Sequence, residues 1–134
     1  MNLKDVWPVE DDSSSAWFEA VRNDKLLLQK DALTGAVQFY PRACVVGSPE
    51  RTPVWFEASG NATLYSFTVV HRSVHPQFAT LTPFVIALIE LEEGVRMTAW
   101  IVDVPHEVLK IDMPLKVVFR EILPGLKLPC FTEV

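Results

Sequence analysis

The chain has little of what usually announces chemistry: only 5 glycines, 3 histidines and 2 cysteines among 134 residues. No Gly-rich loop is present to cradle phosphates, and no G-x-S-x-G turn accompanies Ser13, Ser14 and Ser15 to make one of them a nucleophile. Cys44 and Cys130 stand far apart in unrelated contexts, so in a reducing compartment both are read as free thiols. No apolar run reaches the roughly 18 residues of a membrane span. The N-terminus, M-N-L-K-D-V-W-P-V-E-D-D, lacks the apolar core of a signal peptide. A cytoplasmic protein with no membrane partner is expected. Positive charge is also short, with 12 Lys and Arg against 17 Asp and Glu, a net charge of −5. Nucleic-acid binding depends on neutralising phosphates, so such a chain offers it no general field.

The histidines are isolated. His71 reads as a strand-end imidazole bonded to backbone, His75 with Pro76 as loop, and His106 as an exposed residue in a helical turn. The acidic pairs Asp11-Asp12 and Glu92-Glu93 fall in an arm and a turn, where charge is solvated. No acid/base couple emerges, so the chain is read as not an enzyme.

What is abundant is apolar and β-forming. Hydrophobic residues make up 49% of the chain. A single domain of this length buries roughly two-thirds of its unfolded surface. Val, Ile, Thr, Phe, Tyr and Trp crowd the stretch from Ser59 to Asp103, interrupted by Ser59-Gly60-Asn61, His75-Pro76 and Glu93-Gly94. This predicts three antiparallel strands, over 63–72, 84–91 and 95–103, with a tight hairpin at Glu92-Glu93-Gly94. The middle strand is apolar on both faces: Phe84, Ile86 and Leu88 on one, Val85, Ala87, Ile89 and Leu91 on the other. A wetted sheet face should alternate with polar residues, so the outer side needs another segment or another protein over it.

Before this stretch, Met1 to Asp12 reads as an acidic arm whose Trp7 packs back on the domain. Asp12 or Ser13 then caps a short helix with an aromatic face formed by Trp17, Phe18 and Val21. Lys25–Gln29 and Val37–Tyr40 flank a turn with Gly35 in need of positive φ, and Val54–Ala58 is a strand entering the barrel. After the three strands come a helical turn at 105–110, a strand over 115–122, and a strand over 126–131 whose Pro129 marks an edge. Three strands, a helical turn and two strands is the order of a five-stranded OB-type barrel; a sandwich of the same strands is the alternative.

Taken together, L-L-L-Q-K at 26–30, F-Y-P-R at 39–42, Gly47-Ser48, S-G-N-A-T-L-Y-S-F-T-V-V-H-R, P-F-V-I-A-L-I-E-L-E-E-G-V-R and D-M-P-L-K-V-V-F carry a resemblance. The chain resembles the acyl-CoA-associated OB-fold family with a rubredoxin-like zinc ribbon. The resemblance implies a mainly β protein in three parts: an arm and aromatic helix over 1–24, a ribbon over 25–53 and an OB-fold barrel over 54–134. It also implies lipid metabolism and a role as accessory subunit beside a thiolase-type or MaoC-hydratase-type acyl-CoA enzyme. A homodimer is expected when that partner is absent.

The chain departs from the family's two C-x-x-C-G knuckles. The first falls on Asp31 and Thr34, the second on Ala43 and Val46, with Cys44 one residue off. A structural zinc needs four thiolate or imidazole ligands, so none is expected here, and neither His71 nor His75 has spacing that would rescue it. The ribbon is then expected to be held by packing of Leu27, Leu33, Val37, Phe39 and Val45. Lys30, Arg42 and Arg72 are candidates to converge near the ribbon and hold the phosphates of a CoA thioester, since cationic forks suit phosphate oxygens. Trp17, Phe18, Trp55 and Trp100 are read first as core and then as the candidates for a partner interface. The competing function is a single-stranded nucleic-acid-binding OB module, which stacks bases on aromatics in a basic groove.

Overall fold

A computed structural model describes residues 7–134. Of the acidic arm expected over 1–12, residues 1–6 lie outside the described residues.

The segment S-A-W-F-E-A-V-R forms helix α1 (Ser15–Arg22). Its start is set by Asp11 and not, as the sequence suggests, by Asp12 or Ser13. Asp11 Oδ1 accepts the backbone N–H groups of Ser13 and Ser14 at 2.9 and 3.0 Å, and Ser14 Oγ accepts the Asp11 N–H at 3.1 Å. Eight residues do not make a self-supporting helix. α1 persists because Trp17 and Val21, one turn apart, are buried in the same core as the strands that follow.

A small antiparallel sheet comes next, made of β1 (Leu27–Lys30), β2 (Val37–Gln38) and β3 (Val54–Glu57) in the order β2-β1-β3. The turn between β1 and β2 has Gly35 at φ +77, as its sequence requires. β3 corrects an expectation: V-W-F-E does not enter the barrel but pairs with β1, from Leu27 opposite Glu57 to Lys30 opposite Val54. β2 covers only Gln29 and Lys30 on one side of β1, and β3 supplies the full-length partner on the other. The expected packing holds in part. Val45 is buried and Leu27, Val37 and Phe39 are half-buried, but Leu33 is 74% exposed at the tip of the turn.

The remainder is the OB-type barrel, closed in the order β4-β5-β6-β8-β7, which excludes the sandwich. Its strands are β4 (Asn61–Val70), β5 (Phe84–Leu91), β6 (Arg96–Ile101), β7 (Pro114–Leu123) and β8 (Leu126–Glu133), with a 3-10 turn at His106–Val108 between β6 and β7. Val85, Ala87, Ile89 and Leu91 of β5 point inward and are buried, with Leu64, Met97, Leu115 and Phe131 opposite. Gly60 at φ +85 starts β4 so close to β7 that a Cβ there would lie 2.6 Å from Val117 Cγ1. Trp7 does pack back on the domain: its ring lies against Gly125 in the β7–β8 turn. β8 is not a free edge, since it pairs with β7 along its length and with β6 at Trp100–Cys130 and Ile101–Phe131. Pro129 sits just before that second contact, where no strand on the β6 side needs its missing N–H.

The β4–β5 connection is not all loop, as the sequence suggests, but holds the one-turn helix α2 (Pro76–Ala79). His75 caps it, Nδ1 accepting the Gln77 N–H at 3.2 Å. Phe78 of α2 lies over the outer side of the barrel, with ring centroids 6.4 Å from Phe84 and 6.1 Å from Trp100. Part of the apolar exterior of β5 is therefore covered by the chain itself.

Candidate functional site

The rest of that exterior is open. Between α1, the segment after β2 and the outside of β5, β6 and β8 lies an apolar groove of about 510 Å³. Its walls are Trp17 and Phe18 on one side and Phe39, Tyr40 and Pro41 on the other; Ile86, Thr98, Trp100 and Leu128 form the floor. It exists because β8 meets β6 at only two residue pairs, leaving Arg96–Ala99 with no strand of the described residues on that side. Tyr40 partly fills the gap. Its hydroxyl accepts the Thr98 N–H and donates to Thr98 Oγ1, each at 3.4 Å.

The aromatics are locked by one another. Trp17 meets Phe18 edge-on at 4.9 Å and Phe39 at 6.1 Å; Phe39 leans on Tyr40 at 4.3 Å; Phe84 stacks on Trp100 at 4.3 Å. Rings held this way lose little freedom on binding, which suits them to an interface. The Trp17 Nε1–H is buried without a hydrogen-bond partner among the described residues, and Tyr40 is 51% exposed. Trp17, Phe18 and Trp100 thus belong to one surface, whereas Trp55 lies outside it. Trp55 pairs across from Gln29 in a recess of about 250 Å³ with Arg42, Asp12, Ser13 and Thr52.

The three candidate cations do not converge. Lys30 lies over the Phe56 ring at 5.2 Å, on the sheet face opposite Gln29. Arg42 lies beyond the Gln29 face, near Glu90, Gly94 and Arg96. Arg72 follows the far end of β4, where Val70 pairs with Phe84. The length of the β4–β5 ladder, roughly 25 Å at a strand's rise, separates that end from the ribbon.

In the turn of the small sheet, Asp31 and Thr34 stand where the first knuckle of the resembled family would be. Asp31, 2% exposed, receives three bonds from Arg51: Nε at 3.1 Å to Oδ1 and 3.2 Å to Oδ2, and Nη2 at 2.6 Å to Oδ2. The Leu33 N–H and the Thr34 hydroxyl add one each at 3.0 Å. Arg51 foremost, helped by those two bonds, holds the Asp31 carboxyl down to about 2 against the cost of burial. Ala43 and Val46 have no ligating atom, and His75 is spent on α2. Among the described residues no group of three or more His, Cys, Asp or Glu is placed to hold a metal ion. The donor set does not fit a tetrahedral zinc.

Arg51, Gln29 and Gln38 escaped the sequence reading. The signal available was Asp31 itself, because a carboxylate at an inward position demands a cation.

Comparison with known proteins places this architecture. The family model for the C-terminal OB-fold domain of ChsH2 matches residues 55–120. A DUF35 domain-containing scaffold protein of Methanothermobacter thermautotrophicus is 30% identical over 112 residues, covering 78% of this chain and 84% of that protein. The chain belongs to the DUF35 family. This is the acyl-CoA-associated OB-fold family that the sequence resembles. Among solved DUF35 structures, the Ltp2-ChsH2(DUF35) aldolase superposes with a TM-score of 0.84 at 31% identity, covering 94% of this chain and 98% of that one. A probable enoyl-CoA hydratase alpha subunit of Thermomonospora curvata is 33% identical over 126 residues, 92% of this chain. The chain spans only 38% of that subunit's length. No helix among the described residues of this DUF35 chain is long and apolar enough to cross a membrane.

Proposed function

We propose that this DUF35 chain is a non-catalytic accessory subunit that docks on an acyl-CoA enzyme of the thiolase or hydratase type. The observation that carries the reading is the aromatic-walled groove on the outside of the barrel, lined almost wholly by apolar side chains and open to a neighbour. The names of its relatives, an aldolase assembly, a hydratase alpha subunit and a scaffold protein, support the same class of partner. The one carboxylate among the described residues lining the groove, Asp11, is engaged by the Ser13 and Ser14 N–H groups at the start of α1, and no histidine, cysteine or lysine stands beside it to make an acid/base couple. The acyl-CoA therefore belongs to the partner's chemistry, and this chain shapes or stabilises the complex. Of the three candidate cations, Arg42, beside its recess, is the one best placed to meet a CoA phosphate in such a complex. In the partner's absence the groove pairs two copies of the chain.

The test is co-expression with a thiolase-type or hydratase-type enzyme encoded beside it. One co-eluting complex is expected, with the partner less soluble or less active alone. Ile86→Glu, which puts a charge on the floor of the groove, should abolish co-elution while the circular dichroism spectrum stays native. A chain that remains monomeric, to which the partner's activity and solubility are indifferent, ends the proposal. No observation favours the nucleic-acid reading. Arg96 lies over Tyr65 at 3.7 Å and within 3.6 Å of Glu90, so the barrel face presents a paired cation, not a basic track.

A further inference from the structure

The long connection from 39 to 53 leaves a two-residue strand, and β2 gives it little backbone anchorage. What fastens it is a pair of buried amides. Gln38, 9% exposed, donates to Gln29 Oε1 at 2.9 Å and to the Cys44 carbonyl at 3.2 Å, and accepts the Val46 N–H at 3.0 Å. Gln29, 3% exposed, donates to the Arg42 carbonyl and accepts the Arg42 N–H, both at 2.9 Å, reading that residue's backbone as a neighbouring strand would. At the other end of the connection, Arg51 ties it to Asp31 in the first turn, and the Val45 N–H closes the loop on the Arg51 carbonyl at 2.9 Å. Both amide oxygens, both N–H groups of Gln38 and one of Gln29 are engaged, and a buried polar network satisfied to this degree rigidifies its surroundings.

We infer that Gln29, Gln38 and the Asp31–Arg51 pair form a metal-independent clamp that sets the position of the Phe39–Tyr40 wall of the groove. These side chains do by hydrogen bonding what a metal does by ligation: they join two loops distant in sequence and fix the short segment between them. The clamp is positioning machinery. Its test does not depend on the docking reading.

The experiment uses the full chain, labelled with ¹⁵N. In wild type, the Arg42 and Val46 amides are expected to be protected from hydrogen exchange, with protection and Tm unchanged by EDTA or added zinc sulfate. Gln38→Met removes the acceptor of the Val46 N–H and is expected to speed its exchange by roughly tenfold, leaving Ile89 in the barrel unaltered. The same variant should shift the indole N–H resonance of Trp17, whose ring is 6.1 Å from Phe39. If Gln38→Met does not fold, Gln29→Met read at the Arg42 amide gives the equivalent measurement. Loss of protection in EDTA, a Tm raised by zinc, or a Val46 amide and Trp17 resonance indifferent to Gln38→Met would each overturn the inference.

Discussion

Single side chains decide whether the ribbon stands. Asp31 is ionised with its carboxyl near 2, below the ordinary 3.8, and it faces Arg51, whose Nη1 is shared with Glu50. A carboxyl depressed on folding adds stability above its unfolded pKa, and the contribution fades as pH falls through the folded one. Asp31→Asn should therefore lower the Tm at neutral pH, and the gap from wild type should close between about pH 4 and pH 2. Thermal melts across that range check this. The cysteines give a second outcome at this scale. Burial foremost pushes the Cys130 thiol up to about 12, while Cys44 is half-buried, and both are free. Native protein should incorporate one equivalent of a maleimide, at Cys44, and a second only after denaturation. Individual residues were the least legible level of the sequence. Gln29, Gln38 and Arg51 look like ordinary surface polars until the fold turns them onto each other, whereas the loss of the knuckle cysteines shows as soon as the chain is set against the family it resembles.

Elements were read more easily, because their signals are local. A run of β-branched and aromatic residues punctuated by turn formers, with the Glu92-Glu93-Gly94 hairpin, placed β5 at its observed bounds and β6 within two residues of its own. β3 was misplaced because Val54–Glu57 is a strand in either setting, and only the open side of β1 determines which sheet receives it. α2 was missed because one turn capped by a histidine has no periodicity to detect. The dependence of α1 on docking gives a prediction: Trp17→Ala, at a position 8% exposed, should cost roughly 3–5 kcal/mol in chemical denaturation. Gly60→Ala should also destabilise, by about 1–3 kcal/mol in the same assay, since its Cβ would press on Val117 at an unfavourable φ.

For the molecule as a whole, the sequence correctly implied that β5 has more apolar exterior than a wetted sheet tolerates. It could not tell how the chain would share out the cover. Phe78 takes part of it, and a groove is left whose walls come from residues 17–18 and 39–41. That convergence is a property of topology, not of any local pattern, as is the scattering of Lys30, Arg42 and Arg72.

The two-pair seam between β6 and β8 carries one more consequence, for how the chain is made. β8 delivers Cys130 and Phe131, both 0% exposed, so the barrel cannot shut before residue 131 has been synthesised. Until then the ribosome holds an unlatched half-sheet with bare strand rims, the form most prone to sticking to other nascent chains. Cells making this protein faster than β8 can latch should accumulate it as inclusion bodies, and slowing translation should recover it.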